Sequence, residues 1–168
     1  MTDLLLLAAA ALLHELGHVL CAALLNIPFS GLRFHPCGAV MTFDFSGAAY
    51  GRELCVHLAG AGMGILTAAC ALLLWGRAAV SFAGLSVCLA GINLLPVEGF
   101  DGGGALYCLL APFLPPDRVW MVCRAVSAAV SVLLWIAVLW IELRVRANAA
   151  LLLFVLYVMI FYTQIVNF

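Results

Sequence analysis

The stretch LLHELGHVL, Leu12 to Leu20, sets two imidazoles and a carboxylate (His14, Glu15, His18) in the middle of an apolar run that extends from Leu4 to Leu25. An ionisable side chain at the centre of a bilayer costs about 2.5–3.5 kcal/mol on insertion scales, so three within five residues demand compensation from inside the protein. The rest of the chain makes the bilayer reading unavoidable. Of its 168 residues, 67% are apolar and 9% charged, with a mean hydropathy of +1.23. So few polar side chains cannot clothe a water-soluble domain, and lipid is the solvent for most of the surface. The formal net charge is −1, from seven basic residues, all arginine, and eight acidic ones. That balance leaves no basic face for nucleic acid. Seven cysteines, odd in number and without a CxxC pair, read as free thiols packed as small hydrophobes. The first apolar run has no basic residue before it and carries three ionisable groups, so it is expected to stay in the mature protein rather than act as a signal peptide.

A membrane-crossing helix needs about 20 mostly apolar residues. Leu4 to Leu25, Leu54 to Trp75, Ala78 to Pro96, Val119 to Ile141 and Ala149 to Val166 meet that measure. The predicted fold is an all-α polytopic membrane protein with about five transmembrane helices and a small β-hairpin between the first and second. The hairpin comes from residues 28–52, where Phe43 and Phe45 alternate with Thr42 and Asp44 amid Gly31, Pro36, Gly38, Gly47 and Gly51. An open sheet edge cannot face lipid, so this edge must meet protein, the interface or an extended ligand. Ala105 to Leu114 is too short to cross and is expected to lie at the interface. Residues 1–104 thus form a three-helix membrane core including hairpin 28–52, and 105–168 an interfacial segment with two further spans. Arginines divide four against three between the two sides and do not set the orientation.

His14 and His18 lie at i and i+4, on one helical face, where both rings can meet a single Zn²⁺. Glu15 flanks that position without having to ligate, and can take a proton from an attacking water. This is the division of labour in H-E-x-x-H metallopeptidases. A catalytic zinc takes a third protein ligand. A metzincin would supply it from the same helix, but Cys21 and Leu24 occupy the positions that class needs. Among the remaining acids Asp101 is best placed, in NLLPVEGFDGGG (Asn93 to Gly104). Pro96 and Gly99, Gly102, Gly103 and Gly104 favour irregular backbone there, which at membrane depth is tolerated only where it lines a cavity. Glu98 is the rival carboxylate.

HELGH together with Asn93-Leu-Leu-Pro96 and, four residues on, Asp101-Gly102 resembles the site-2 protease family of intramembrane zinc metalloproteases. The resemblance covers about residues 1–104. It implies one Zn²⁺ held by His14, His18 and Asp101, with Glu15 as general base and Asn93, Pro96 and Gly102 at the site or against substrate. The size is most similar to the compact bacterial branch that includes the stage IV sporulation protein FB type, which implies a multi-pass protein of a bacterial cell membrane. Many relatives carry A-G-P-x-x-N in the span after the hairpin. Here Ala59 to Gly64 reads AGAGMG, losing the Pro and the Asn.

Gly60, Gly62 and Gly64 are expected to serve close helix packing. His57, four residues after Glu53, is expected to be a satisfied buried histidine, and His35 a solvent-facing residue of the hairpin. The resemblance implies hydrolysis of a peptide bond in or near the transmembrane segment of a membrane-bound substrate, one carrying helix-weakening residues. Control is expected to rest with a separate membrane regulator or prior trimming of the substrate. Two other readings compete: an inactive membrane scaffold of the same fold, and a metal transporter using the histidine pair for passage.

Overall fold

With no water to pair with, backbone N–H and C=O groups in a bilayer must bond within their own segment, and the apolar runs accordingly fold as helices. The computed structural model describes residues 2–35 and 38–145. In chain order these form α1 (Thr2–Leu24), β1 (Phe29–His35), β2 (Gly38–Phe43), α2 (Tyr50–Trp75), a 3₁₀ turn (Gly76–Ala79), α3 (Val80–Asn93), α4 (Asp101–Leu110) and α5 (Pro116–Val145). Three stretches among the described residues are long and apolar enough to cross a membrane: Asp3–Leu24, Tyr50–Asn93 and Pro116–Ile141. The second holds α2 and α3, which fold back on each other at Gly76, where φ is +55°. The third expected span, Ala78 to Pro96, therefore appears as a 14-residue helix behind a 3₁₀ turn. The expected span at 149–166 lies outside the described residues.

The distribution of side chains suits lipid. Leu4, Leu12, Leu73 and Leu133 point outward, while the interior holds Ala10, Ala61, Ala68, Ala83 and Ala90 together with His14, His18, Ser86 and Ser127. Between helices in lipid there is little hydrophobic drive, so small residues that let backbones approach carry the packing. Gly17 is one such point between α1 and α2. A Cβ there would lie 2.6 Å from the Ala59 carbonyl oxygen and 2.7 Å from the Met63 Cβ. Of the glycines expected to pack in α2, Gly64 meets the Ser86 carbonyl and Ala90 of α3, whereas Gly62 has nothing within 4 Å and faces outward.

Asn26, at φ +52°, ends α1, and the Ile27 N–H returns to the Ala22 carbonyl at 2.8 Å. The chain then enters the antiparallel pair β1–β2, with Phe29 opposite Phe43 and an irregularity between Phe29 and Gly31. Phe43 and Phe45 pack against Ala22, Ile27 and Val56, which fixes the hairpin to the ends of α1 and α2 that lie beside it. The hairpin expected from residue alternation is thus present.

One local expectation is corrected. Asp101 and its three following glycines do not form irregular backbone but the first turn of α4. A Cβ at Gly102 would strike the Leu94 and Leu95 carbonyls, and one at Gly103 the Val97 carbonyl. The glycines serve a close approach of helix to loop rather than a loop of their own. The short apolar run from Ala105 is the C-terminal part of this helix.

Gly17→Ala is expected to destabilise the protein by about 1–3 kcal/mol through overpacking between α1 and α2, while Gly62→Ala, whose Cβ meets nothing, leaves stability unchanged. Denaturant unfolding of both variants in the same detergent checks the contrast.

Candidate metal centre

His14 and His18 project from the inner face of α1 and are 2% and 6% exposed. Asp101, at the head of α4, comes against both. Its Oδ2 lies 3.0 Å from His14 Nε2 and 3.2 Å from His18 Nε2, and the two Nε2 atoms are 3.2 Å apart. A tetrahedral ion with bonds of about 2.0–2.1 Å keeps its ligand atoms about 3.3 Å from one another. The three atoms therefore stand close to three corners of such a shell.

Hydrogen bonding favours a cation at the centre. His18 Nδ1 lies 2.7 Å from the Val56 carbonyl oxygen. A carbonyl only accepts, so Nδ1 carries the proton, and in the neutral ring Nε2 is left with the lone pair, facing Asp101 and His14. Asn93, the last residue of α3, brings its amide Nδ2 to 3.3 Å from His14 Nε2, at the edge of the cluster. His14 Nδ1 is buried without a partner among the described residues. Two imidazole lone pairs and a carboxylate oxygen converging in an apolar core repel one another unless a shared proton or a metal cation lies among them. Two imidazoles and one carboxylate are a ligand set that suits Zn²⁺ with a position left open.

Gly60 of α2 supplies the space. A Cβ there would strike His18 Nε2 and come within 2.6 Å of His14 Nε2. The sequence reading assigns this glycine to helix packing alone. Its place opposite both rings depends on how α1 lies along α2, and the one signal available is its position in the AGAGMG segment.

The other singled-out residues divide. Glu15 is half-buried on α1 and contributes no atom to the three-ligand cluster. Pro96 lines a cavity of about 370 Å³ with Glu53, Glu98, Gly99, Tyr107 and Trp120. Gly102 is buried beneath the 94–95 carbonyls. Glu98, the rival ligand, stands outside the cluster; its backbone N–H donates to Ser127 Oγ at 2.9 Å. His57 is half-buried, with Nε2 3.9 Å from Glu53 Oε1 and its ring 5.8 Å from that of Phe45. The side chain of His35 lies outside the described residues.

No protein-family model matches the chain, and no curated protein does. Among solved structures it is similar to the Site-2 Protease from Methanocaldococcus jannaschii, with a TM-score of 0.70 and 22% identity over 95% of this chain and 75% of that one. At that identity the likeness is one of fold, and in fold it bears out the resemblance drawn from the two motifs.

His14→Ala and Asp101→Ala are each expected to remove one equivalent of tightly held zinc from the purified chain, and Gly60→Ala to do the same with helical content retained. Metal analysis alongside circular dichroism reads both quantities. Full zinc retention by Asp101→Ala would take the carboxylate out of the ligand set.

Proposed function

We propose that the chain is an intramembrane zinc metalloprotease that hydrolyses a peptide bond in or near the transmembrane segment of a membrane-bound substrate. The observation that carries this reading is the mutual approach of His14 Nε2, His18 Nε2 and Asp101 Oδ2 to 3.0–3.2 Å, with Glu15 beside them on α1. The likeness in fold to a site-2 protease supports it. Residues 1–104 form the catalytic core in this proposal, and 105–168 add an interfacial segment and two further spans, five in all. The chain sits in a bacterial cell membrane in the same reading.

His14, His18 and Asp101 would hold the ion. Bound zinc supplies Lewis-acid polarisation of the scissile carbonyl and lowers the pKa of water. Glu15 takes the proton from the attacking water and delivers it to the leaving amine, so hydrolysis needs no covalent enzyme intermediate. The Val56 carbonyl fixes the His18 ring through Nδ1–H and so aims its Nε2. Asn93, 3.3 Å from His14 Nε2, lies at the site, where its amide can meet substrate or the attacking water.

A peptide bond within a helix is closed to attack because its carbonyl is bonded and side chains crowd it. Substrate must therefore arrive locally unwound, which favours segments with helix-weakening residues. The β1–β2 hairpin, whose outer edges pair with no other strand among the described residues, offers an edge to which such a segment adds by backbone hydrogen bonds. Control rests with a separate membrane regulator or with prior trimming of the substrate.

Glu15→Gln tests the assignment, because it keeps the shape of the side chain and removes the base. In detergent, with a panel of single-span membrane proteins carrying Gly or Pro within the span, turnover is expected to fall by about 10²-fold or more at unchanged zinc content. Equal turnover by the two proteins would sink the protease reading and return the chain to the scaffold or transporter alternatives. Chelation is expected to abolish cleavage, and added Zn²⁺ to restore it.

A further inference from the structure

Glu53 and His57 lie one turn apart in the first part of α2, and α4 sets Gly104 and Cys108, also one turn apart, against them. One ligand atom from each of Glu53, His57 and Cys108 falls within 4.8 Å of the other two, the Glu53–His57 pair at 3.9 Å. Gly104 admits the imidazole, since a Cβ there would collide with the ring and stand 2.7 Å from its Nδ1. Cys108 is buried, and Glu53 and His57 are half-buried. None of the three belongs to the His14–His18–Asp101 cluster. Glu53 and Gly104 also line the cavity of about 370 Å³ that Glu98, Tyr107 and Cys123 share, so this cavity borders the group.

The geometry points to a second metal site, formed by Glu53, His57 and Cys108, for a borderline-soft divalent cation such as Zn²⁺. A carboxylate oxygen, an imidazole nitrogen and a thiol sulfur together select that class, whereas Mg²⁺ and Ca²⁺ prefer oxygen alone. Binding forms a metal–sulfur bond and releases the Cys108 thiol proton to solvent, so no oxidant or reductant is needed. Tetrahedral ligand atoms lie roughly 3.3–3.8 Å apart, so side-chain rotations must draw the three donors inward by about an ångström or less. A bound ion joins α2 to α4. Asp101 and Cys108, at i and i+7, share a face of α4, so the ion fixes the helix that carries the third ligand of the first centre.

Co²⁺ titrated into the metal-stripped full chain in detergent distinguishes the two centres. Thiolate ligation gives a near-ultraviolet charge-transfer band, which the sulfur-free His14–His18–Asp101 centre cannot produce. The expected result is two Co²⁺ per chain, with a band that is lost in Cys108→Ser, reduced at least severalfold in His57→Gln and retained in His14→Ala. One Co²⁺ per chain without the band, or a band that survives Cys108→Ser, would overturn the site. An unchanged band in His57→Gln overturns it as well, and that polar exchange at a half-buried position leaves the core filled. The readout is independent of peptide hydrolysis, so an inactive chain that shows the band retains this site and loses only the protease reading.

Discussion

Everything in this fold answers to one constraint. Two imidazoles and a carboxylate placed inside lipid-solvated helices must satisfy each other, because neither water nor the apolar surroundings will. The observed approach of 3.0–3.2 Å brings three atoms that each carry lone pairs to within about the edge length of a zinc ligand shell. The surrounding residues are chosen to bring it about. Gly17 lets α1 press on α2, Gly60 leaves room for the ring ends, and the Val56 carbonyl turns His18 so that its free nitrogen faces inward. Bulky apolar residues are left for the outer surface, where lipid meets Leu4, Leu12, Leu73 and Leu133 without penalty.

What could be read in the one-dimensional pattern was whatever depends on local spacing. His14 and His18 share a helical face by arithmetic, the spans by length and hydropathy, and the hairpin by its alternation and glycines. Asp101 stood out because Pro96 and the following glycines interrupt an apolar run. The features that escaped all depend on how two distant segments meet. Gly60 is indistinguishable in sequence from Gly62, yet one faces two imidazoles and the other faces outward. Three consecutive glycines after Asp101 read as loop because isolated glycine disfavours helix. They sit in a helix because the Leu94, Leu95 and Val97 carbonyls take the space that side chains at Gly102 and Gly103 would need, and the His57 ring takes it at Gly104. The Glu53–His57–Cys108 group is invisible for the same reason, since Cys108 lies far along the chain from the Glu53–His57 pair.

The length of α3 follows from the depth of the site. From Gly60, opposite the imidazoles, α2 continues 15 residues to Trp75, a rise of about 22 Å. The chain turns there, and α3 runs back 13 residues from Val80 to Asn93, about 20 Å, which returns it to the level of His14. A helix continued past Asn93 would carry residues 94–100 away from the level of its 3.3 Å contact with His14, toward the membrane surface. Ending early instead puts residues 94–100 at the depth of the site, where their backbone groups need partners inside the protein. They find several locally: Leu94 N–H bonds to Ala90, Leu95 to Ile92, Val97 to Leu95 and Phe100 to Val97. Only after this bonded turn can α4 begin, with its first carboxylate already level with the two rings. Hydropathy counts Ala78 to Pro96 as a full span, but the chemistry at its end requires it to stop short.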